Sequence, residues 1–123
     1  SNICSNQALC ALRSVVHLAL LGPGGLVRTA ELSMQRAREA AAALAQIPGI
    51  SLLNDAPYGY EFAVSLPKSA ASVVKTAVAR TIVAGVPGGR WYSGMDNVLL
   101  VACTEKTASA HIRGLAEALA QTL

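Results

Sequence analysis

Few residues in this sequence have the type and spacing that chemistry requires. Arg13 and His17 stand four apart, so on a helix they share a face. They could reach a partner domain or an active site, but a polar stripe on an otherwise buried helix explains them as well. His111, the other histidine, falls on the outer side of a helical pattern, and no ligand spacing accompanies either histidine, so a metal site has little support. Lys68 follows a strand pattern, Lys75 lies on a polar helix face and Lys106 sits in an expected first helical turn. A lysine that forms a Schiff base needs a desolvated pocket or neighbouring cations to lower its pKa, and nothing around these three supplies either. Cys4, Cys10 and Cys103 are odd in number and do not form a CxxC pair. Buried reduced thiols are expected rather than a disulfide framework or a zinc site.

Two stretches are denser in functional residue types. The loop Gly85–Gly94, GVPGGRWYSG, carries Arg90, Tyr92 and the single tryptophan, Trp91. Arg, Trp and Tyr are the types enriched at interface anchors, although the rings could instead close the core. Residues Ser1 to Gln7 form a polar cluster, SNICSNQ, ahead of an apolar helix. Capping by Ser5 or Asn6 accounts for part of it, but capping alone does not need so many polar groups.

The elements that must position these residues follow from pattern and composition. A length of 123 residues suits one domain with a real core. Hydrophobic residues make up 53% and charged residues only 14%, so part of the apolar surface is expected to be covered by other protein. The net charge of +3 is scattered without a basic run, which argues against nucleic acid as a partner. No run reaches the ~18 consecutive apolar residues of a membrane span, and a signal peptide's basic start and cleavage site are missing. Ser5–Leu21 reads as a helix apolar nearly all round, stopped by Gly22-Pro23-Gly24-Gly25. A second helix is expected from Leu26 to Ile47, with Leu26, Ala30, Met34, Ala37, Ala41 and Leu44 on one stripe. Strands are expected at Ile50–Leu53 and Tyr60–Leu66. A helix over Ala70–Arg80, capped by Ser69, should bury Ala70, Val73, Val74, Ala77 and Val78. Ile82–Val86 reads as a short strand and Val98–Cys103 as a fully buried one. A last helix, capped by Thr104 with Glu105 in its first turn, should bury Ala108, Ile112, Leu115, Ala116 and Leu119. This order implies an α+β two-layer sandwich, with a small mostly antiparallel sheet and helices on one face.

At this point the text itself resembles a known family. SNICSNQALCAL followed by LALLGPGGL is similar to the glycine cleavage system P-protein, which usually reads SNICTNQALCAL and LALLGPEGL there. AAALAQIPGISLL, YEFAVSLP and IVAGVPGGRWYSGMDNVLLVACTE resemble later blocks of the same family, in order. Departures stand at Ser5 (usually threonine), Tyr60 (usually asparagine), Gly88 (usually leucine) and Ser93 (usually proline).

The resemblance implies the C-terminal small domain of an aspartate-aminotransferase-like enzyme, and specifically of subunit 1 of the split form. It implies residues 1–123 as a single domain, with residues 1–22 a linker helix that packs on a large domain. The whole enzyme decarboxylates glycine with pyridoxal phosphate (PLP) and passes the aminomethyl group to the lipoyl arm of H-protein. The Schiff-base lysine belongs to the homologous subunit 2, in a cytoplasmic heterotetramer. No catalytic residue or metal is expected on this chain and no PLP is expected to be held by it alone, while the residues that meet glycine, PLP or the lipoyl arm are left open. Ser1, Asn2, Ser5, Arg90 and Tyr92 are the residues expected near an interface or the active site. The small domain of another PLP-dependent enzyme of that fold, or a non-enzymatic α+β interaction module, are the competing readings.

Overall fold

The computed structural model describes residues 7–123. Helix α1 spans Gln7–Ala45 and is followed by β1 (Ser51–Leu52), β2 (Glu61–Ser65), α2 (Ala70–Val78), β3 (Val86–Pro87), β4 (Val98–Ala102) and α3 (Ser109–Thr122). The chain divides into two compact units, one up to Glu31 and one over Leu32–Leu123.

In the first unit, α1 is helical on both sides of Gly22, which alone has non-helical angles (φ 61°, ψ −179°). A glycine takes this left-handed position without a Cβ penalty and so ends one helix. Pro23 then opens the next at the position where its missing N–H costs nothing. The breaker chemistry therefore makes a kink where a loop was expected. The same continuity makes α1 long and apolar enough to cross a membrane by length and composition alone, which a count of consecutive apolar residues does not show. Leu9, Leu12, Val15, Val16, Leu18 and Leu20 are all exposed.

The second unit is built on a four-stranded sheet in the order β1-β2-β4-β3, antiparallel throughout. Phe62 faces Val101 and Val64 faces Leu99 across the central ladder. Alternation then puts Phe62, Val64, Leu66, Leu99, Val101 and Cys103 on one buried face. Ala37, Ala40, Ala41 and Leu44 of α1, Ala70, Val73 and Ala77 of α2, and Ile112 and Leu119 of α3 belong to the same core. The helices thus cover one face of the sheet. Alanines at the contact let their backbones come close, and the wholly buried Leu44, Leu99 and Leu119 each contribute about 1.5–3 kcal/mol by burial.

Several boundaries differ from the sequence expectation. Ile82–Gly85 is not a strand, and only Val86–Pro87 pairs with β4. A Cβ on Gly85, whose φ is +144°, would run into the Leu100 carbonyl oxygen, so the chain pairs only after this close approach. Val78 is exposed because α2 ends there. Ser69 holds the N-cap place of α2 without a side-chain bond. The Ala70 N–H instead donates to the Asp96 carbonyl at 2.8 Å, an acceptor from a distant turn that local pattern cannot reveal. Helix α3 starts later than expected because Thr104 and Thr107 form a turn of their own, with Lys106 N–H donating to Thr104 Oγ1 and Thr104 N–H to Thr107 Oγ1. Lys106 therefore lies ahead of the helix, and Ala108, its N-cap, is exposed. Tyr60, Leu26 and Ala30 are exposed as well, and Ser33 and Ala40 join the buried stripe of α1.

Candidate functional site

The structure presents Arg90 and Tyr92 on a short, well-tied loop. Gly88–Arg90 forms a 3-10 turn after β3. The Trp91 and Tyr92 N–H groups both donate to the Gly88 carbonyl, at 3.1 and 3.0 Å, and Val98 N–H donates to the Met95 carbonyl at 3.1 Å. Gly88 is buried against Val98 and Met95, and Gly89 lies so close to Asp96 that a Cβ there would meet its carboxylate. With the backbone held this way, Trp91 remains 59% exposed and Tyr92 56% exposed. The rings therefore do not close the core. The Arg90 guanidinium lies 5.0 Å from the centre of the Trp91 ring, within cation–π range.

Ser1, Asn2, Ser5 and Cys4 lie outside the described residues. Arg13 and His17 share one exposed face of α1, where they line a shallow hollow with Leu12, Val16 and Leu20. His111 is exposed, and its Nδ1 accepts the Ala108 N–H at 3.2 Å. It caps the start of α3 through that nitrogen. Lys68, Lys75 and Lys106 are all exposed, and Lys68 Nζ donates to the Thr122 carbonyl at 2.8 Å. Among the described residues no group of three His, Cys, Asp or Glu could share a metal.

A cavity of about 630 Å³ opens in the second unit between residues 81–86, the end of β4 and α3. Ile82, Val86, Leu100, Ile112 and Leu115 make it apolar, and it holds neither lysine nor arginine. Cys103 lies at its wall as a free, buried thiol whose pKa is pushed up by burial and by the nearby Glu39. Cys10 is also free but exposed, contrary to the expectation of buried thiols. Leu9 and Leu12 beside it are exposed as well.

Sequence reading missed one polar contact. Arg36 Nη1 donates to Glu39 Oε2 at 2.7 Å and to Ser109 Oγ at 2.9 Å. The hydrogen bond from Arg36 is the first cause, ahead of Ser109, of a Glu39 carboxyl held below the usual carboxylate range. The spacing of Arg36 and Glu39 is a readable helix pair. Ser109 is 73 residues away along the chain and carries no local signal. The contact ties α1 to the start of α3.

These features define a class first. The architecture, helices on one face of a small antiparallel four-stranded sheet, is an aminotransferase-like fold. It is shared, at a TM-score of 0.66 and 16% identity over 77% of this chain, with 24% of a cystine C-S lyase solved in complex with its reaction product, cysteine persulfide. The family model for glycine cleavage system P-protein matches residues 1–119, and the chain belongs to that family. A probable glycine dehydrogenase (decarboxylating) subunit 1 from Nitratidesulfovibrio vulgaris (strain DP4) is 66% identical over 119 residues, 97% of this chain and 27% of the relative. Its counterpart in Maridesulfovibrio salexigens is 54% identical over the whole chain and 28% of the relative. The inhibitor-bound crystal structure of glycine decarboxylase (P-protein) matches all of this chain at a TM-score of 0.88 and 35% identity, over 28% of its own length. The chain thus spans roughly a quarter of the length of the curated relatives it matches.

Proposed function

We propose that this chain is the C-terminal small domain of subunit 1 of a two-subunit glycine dehydrogenase, and that it serves the enzyme structurally rather than by supplying reacting groups. The observation that carries the reading is coverage: 97% of the chain matches 27% of a relative named as that subunit. The exposed apolar side chains from Leu9 to Leu20 support it, because apolar surface of this kind marks a contact with other protein. On this reading α1 packs on the large domain of its own subunit rather than in a membrane. The Arg90 loop and the polar start at Ser1, Asn2 and Ser5 face the rest of the enzyme.

The residues present do not fit a site that anchors PLP. All three lysines are exposed, and the cavity beside β4 and α3 lacks lysine and arginine to hold a phosphate. On the reading as the split enzyme, the cofactor and its lysine belong to the homologous subunit 2, with which subunit 1 forms a heterotetramer. The lipoyl arm of H-protein receives the aminomethyl group from that assembly. Unpaired Cys10 and Cys103 suit a reducing compartment, the cytoplasm.

Release of labelled carbon dioxide from carboxyl-labelled glycine tests the reading. Complete subunit 1 with subunit 2 should release it, and subunit 2 with a subunit 1 lacking these 123 residues should not. The isolated chain should release none. Decarboxylation by the isolated chain, or full activity without it, would overturn the proposal.

A further inference from the structure

We infer that Arg90 is an anchor for a single carboxylate, an Asp or Glu side chain on the protein surface that covers the Arg90 loop in the complete enzyme. The inference rests on the reading that this chain is part of a larger enzyme, and it names the chemistry of one contact with the remainder.

The first observation is an unused guanidinium. Arg28 pairs with Glu31, Arg36 with Glu39 and Ser109, Arg80 with Gln121, and Lys68 with the Thr122 carbonyl. Arg13, Arg38, Lys75 and Lys106 share with Arg90 the lack of a side-chain hydrogen bond or ion pair among the described residues, but of these only Arg90 lies over an aromatic ring, that of Trp91. Its N–H donors are available, and a planar fork matches the two oxygens of a carboxylate.

The second observation is that the loop is built to hold this arrangement. Two N–H groups converge on the Gly88 carbonyl, and Gly88 and Gly89 are wedged against Met95, Val98 and Asp96. A partner would find the side chains already presented and would lose little freedom in docking. Trp91 and Tyr92, both more than half exposed just after this small turn, add the apolar area that accompanies a buried anchor.

Charge decides the occupant. The loop offers one free cation, and Asp96 sits at its base. A polyanion such as nucleic acid draws its affinity from many cations, and this loop offers only Arg90. One carboxylate balances Arg90 one for one and leaves the rings for apolar neighbours.

The test uses the enzyme assembled from full-length subunits. Hydroxyl-radical footprinting should show Trp91 and Tyr92 oxidised readily in this chain alone and protected in the assembled enzyme. The R90K variant then places a primary amine at the anchor. Carbodiimide treatment, which joins an amine to an adjacent carboxylate with loss of water, should yield a crosslink from residue 90 to an Asp or Glu outside these 123 residues, and high salt should abolish it. Trp91 equally oxidised in both states, or a crosslink from residue 90 only to Asp96 or to nothing, would overturn the inference. Footprints on Leu9 to Leu20 separate the two levels of argument. If they are protected while Trp91 is not, only the carboxylate anchor fails. If neither is protected, the reading as part of a larger enzyme fails as well.

Discussion

Replacing Gly85 by alanine is the sharpest test of how the sheet edge is built. Gly85 has a φ of +144°, and its missing side chain leaves room for the Leu100 carbonyl. An alanine there meets two separate costs. The backbone conformation is one that only glycine holds comfortably, worth about 1–3 kcal/mol at a side-chain-bearing residue. The new methyl also has to displace β4 backbone rather than a flexible side-chain tip, and forced repacking of this kind costs about 1–3 kcal/mol. Together G85A should destabilise the domain by about 2–6 kcal/mol, a large part of the ~5–15 kcal/mol that holds a domain together. Thermal unfolding followed by far-ultraviolet circular dichroism measures it, and for a unit of this size each kcal/mol moves Tm by about 4–8 °C. Loss of amide protection should be concentrated at Val86 and Leu100, which pair across β3 and β4. Gly59 is the control, since a Cβ there meets open space at an unstrained angle, and G59A should stay within about 0.5 kcal/mol of the parent. A G85A protein as stable as the G59A protein would show that the close approach to Leu100 is not the reason for the glycine.

Four further outcomes are expected. L99A, at a wholly buried position on the central strand, should cost about 2.7–5 kcal/mol in denaturant unfolding. Because the Glu39 carboxyl titrates below its unfolded value, its contribution is full above the unfolded carboxylate range and disappears as pH falls through the folded pKa. Stability against pH should therefore fall on the acid side and do so less steeply in E39Q. A thiol reagent should modify Cys10 quickly and Cys103 slowly in the native chain, because the Cys103 thiol is buried and its pKa raised, and equal rates would contradict that placement. The isolated chain should self-associate through Leu9 to Leu20, and elution as a strict monomer at high concentration would count against that.

Legibility in the sequence followed the reach of the physical signal. Strand β2 was visible because Phe62, Val64 and Leu66 alternate with polar or small residues, and alternation reports a one-sided sheet directly. The stripe Ala37, Ala41, Leu44 was visible for the same reason at helical period. The start of α3 was misplaced because Thr104 is a good cap residue by type, yet its hydroxyl is engaged by Lys106 N–H in a turn of its own. Ser69 does stand at the N-cap of α2, as its type suggests, but its side chain makes no cap bond; the Ala70 N–H donates to the Asp96 carbonyl, supplied from another part of the fold. At the Arg90 loop the residue types were readable, but their exposure was not: identical letters would suit rings folded inward. Only the tethering of the turn to Gly88 decides it.

The strand order β1-β2-β4-β3 also has a kinetic consequence. The two central strands are adjacent in space, yet Asn97 and Ser65, bonded at the end of their ladder, are 32 residues apart in the chain. Helix α2 and strand β3 both lie within that span. The central ladder must therefore close a long loop before any pairing rewards it. Strands β3 and β4 pair over a far shorter stretch, since Pro87 and Leu99 face each other, and they can meet before β2 arrives. Side chains that join β2 to β4, such as Val64 and Leu99, should therefore set the rate of folding. The loop that presents Arg90, Trp91 and Tyr92 belongs to the most local pairing of the sheet and can take shape before its centre closes.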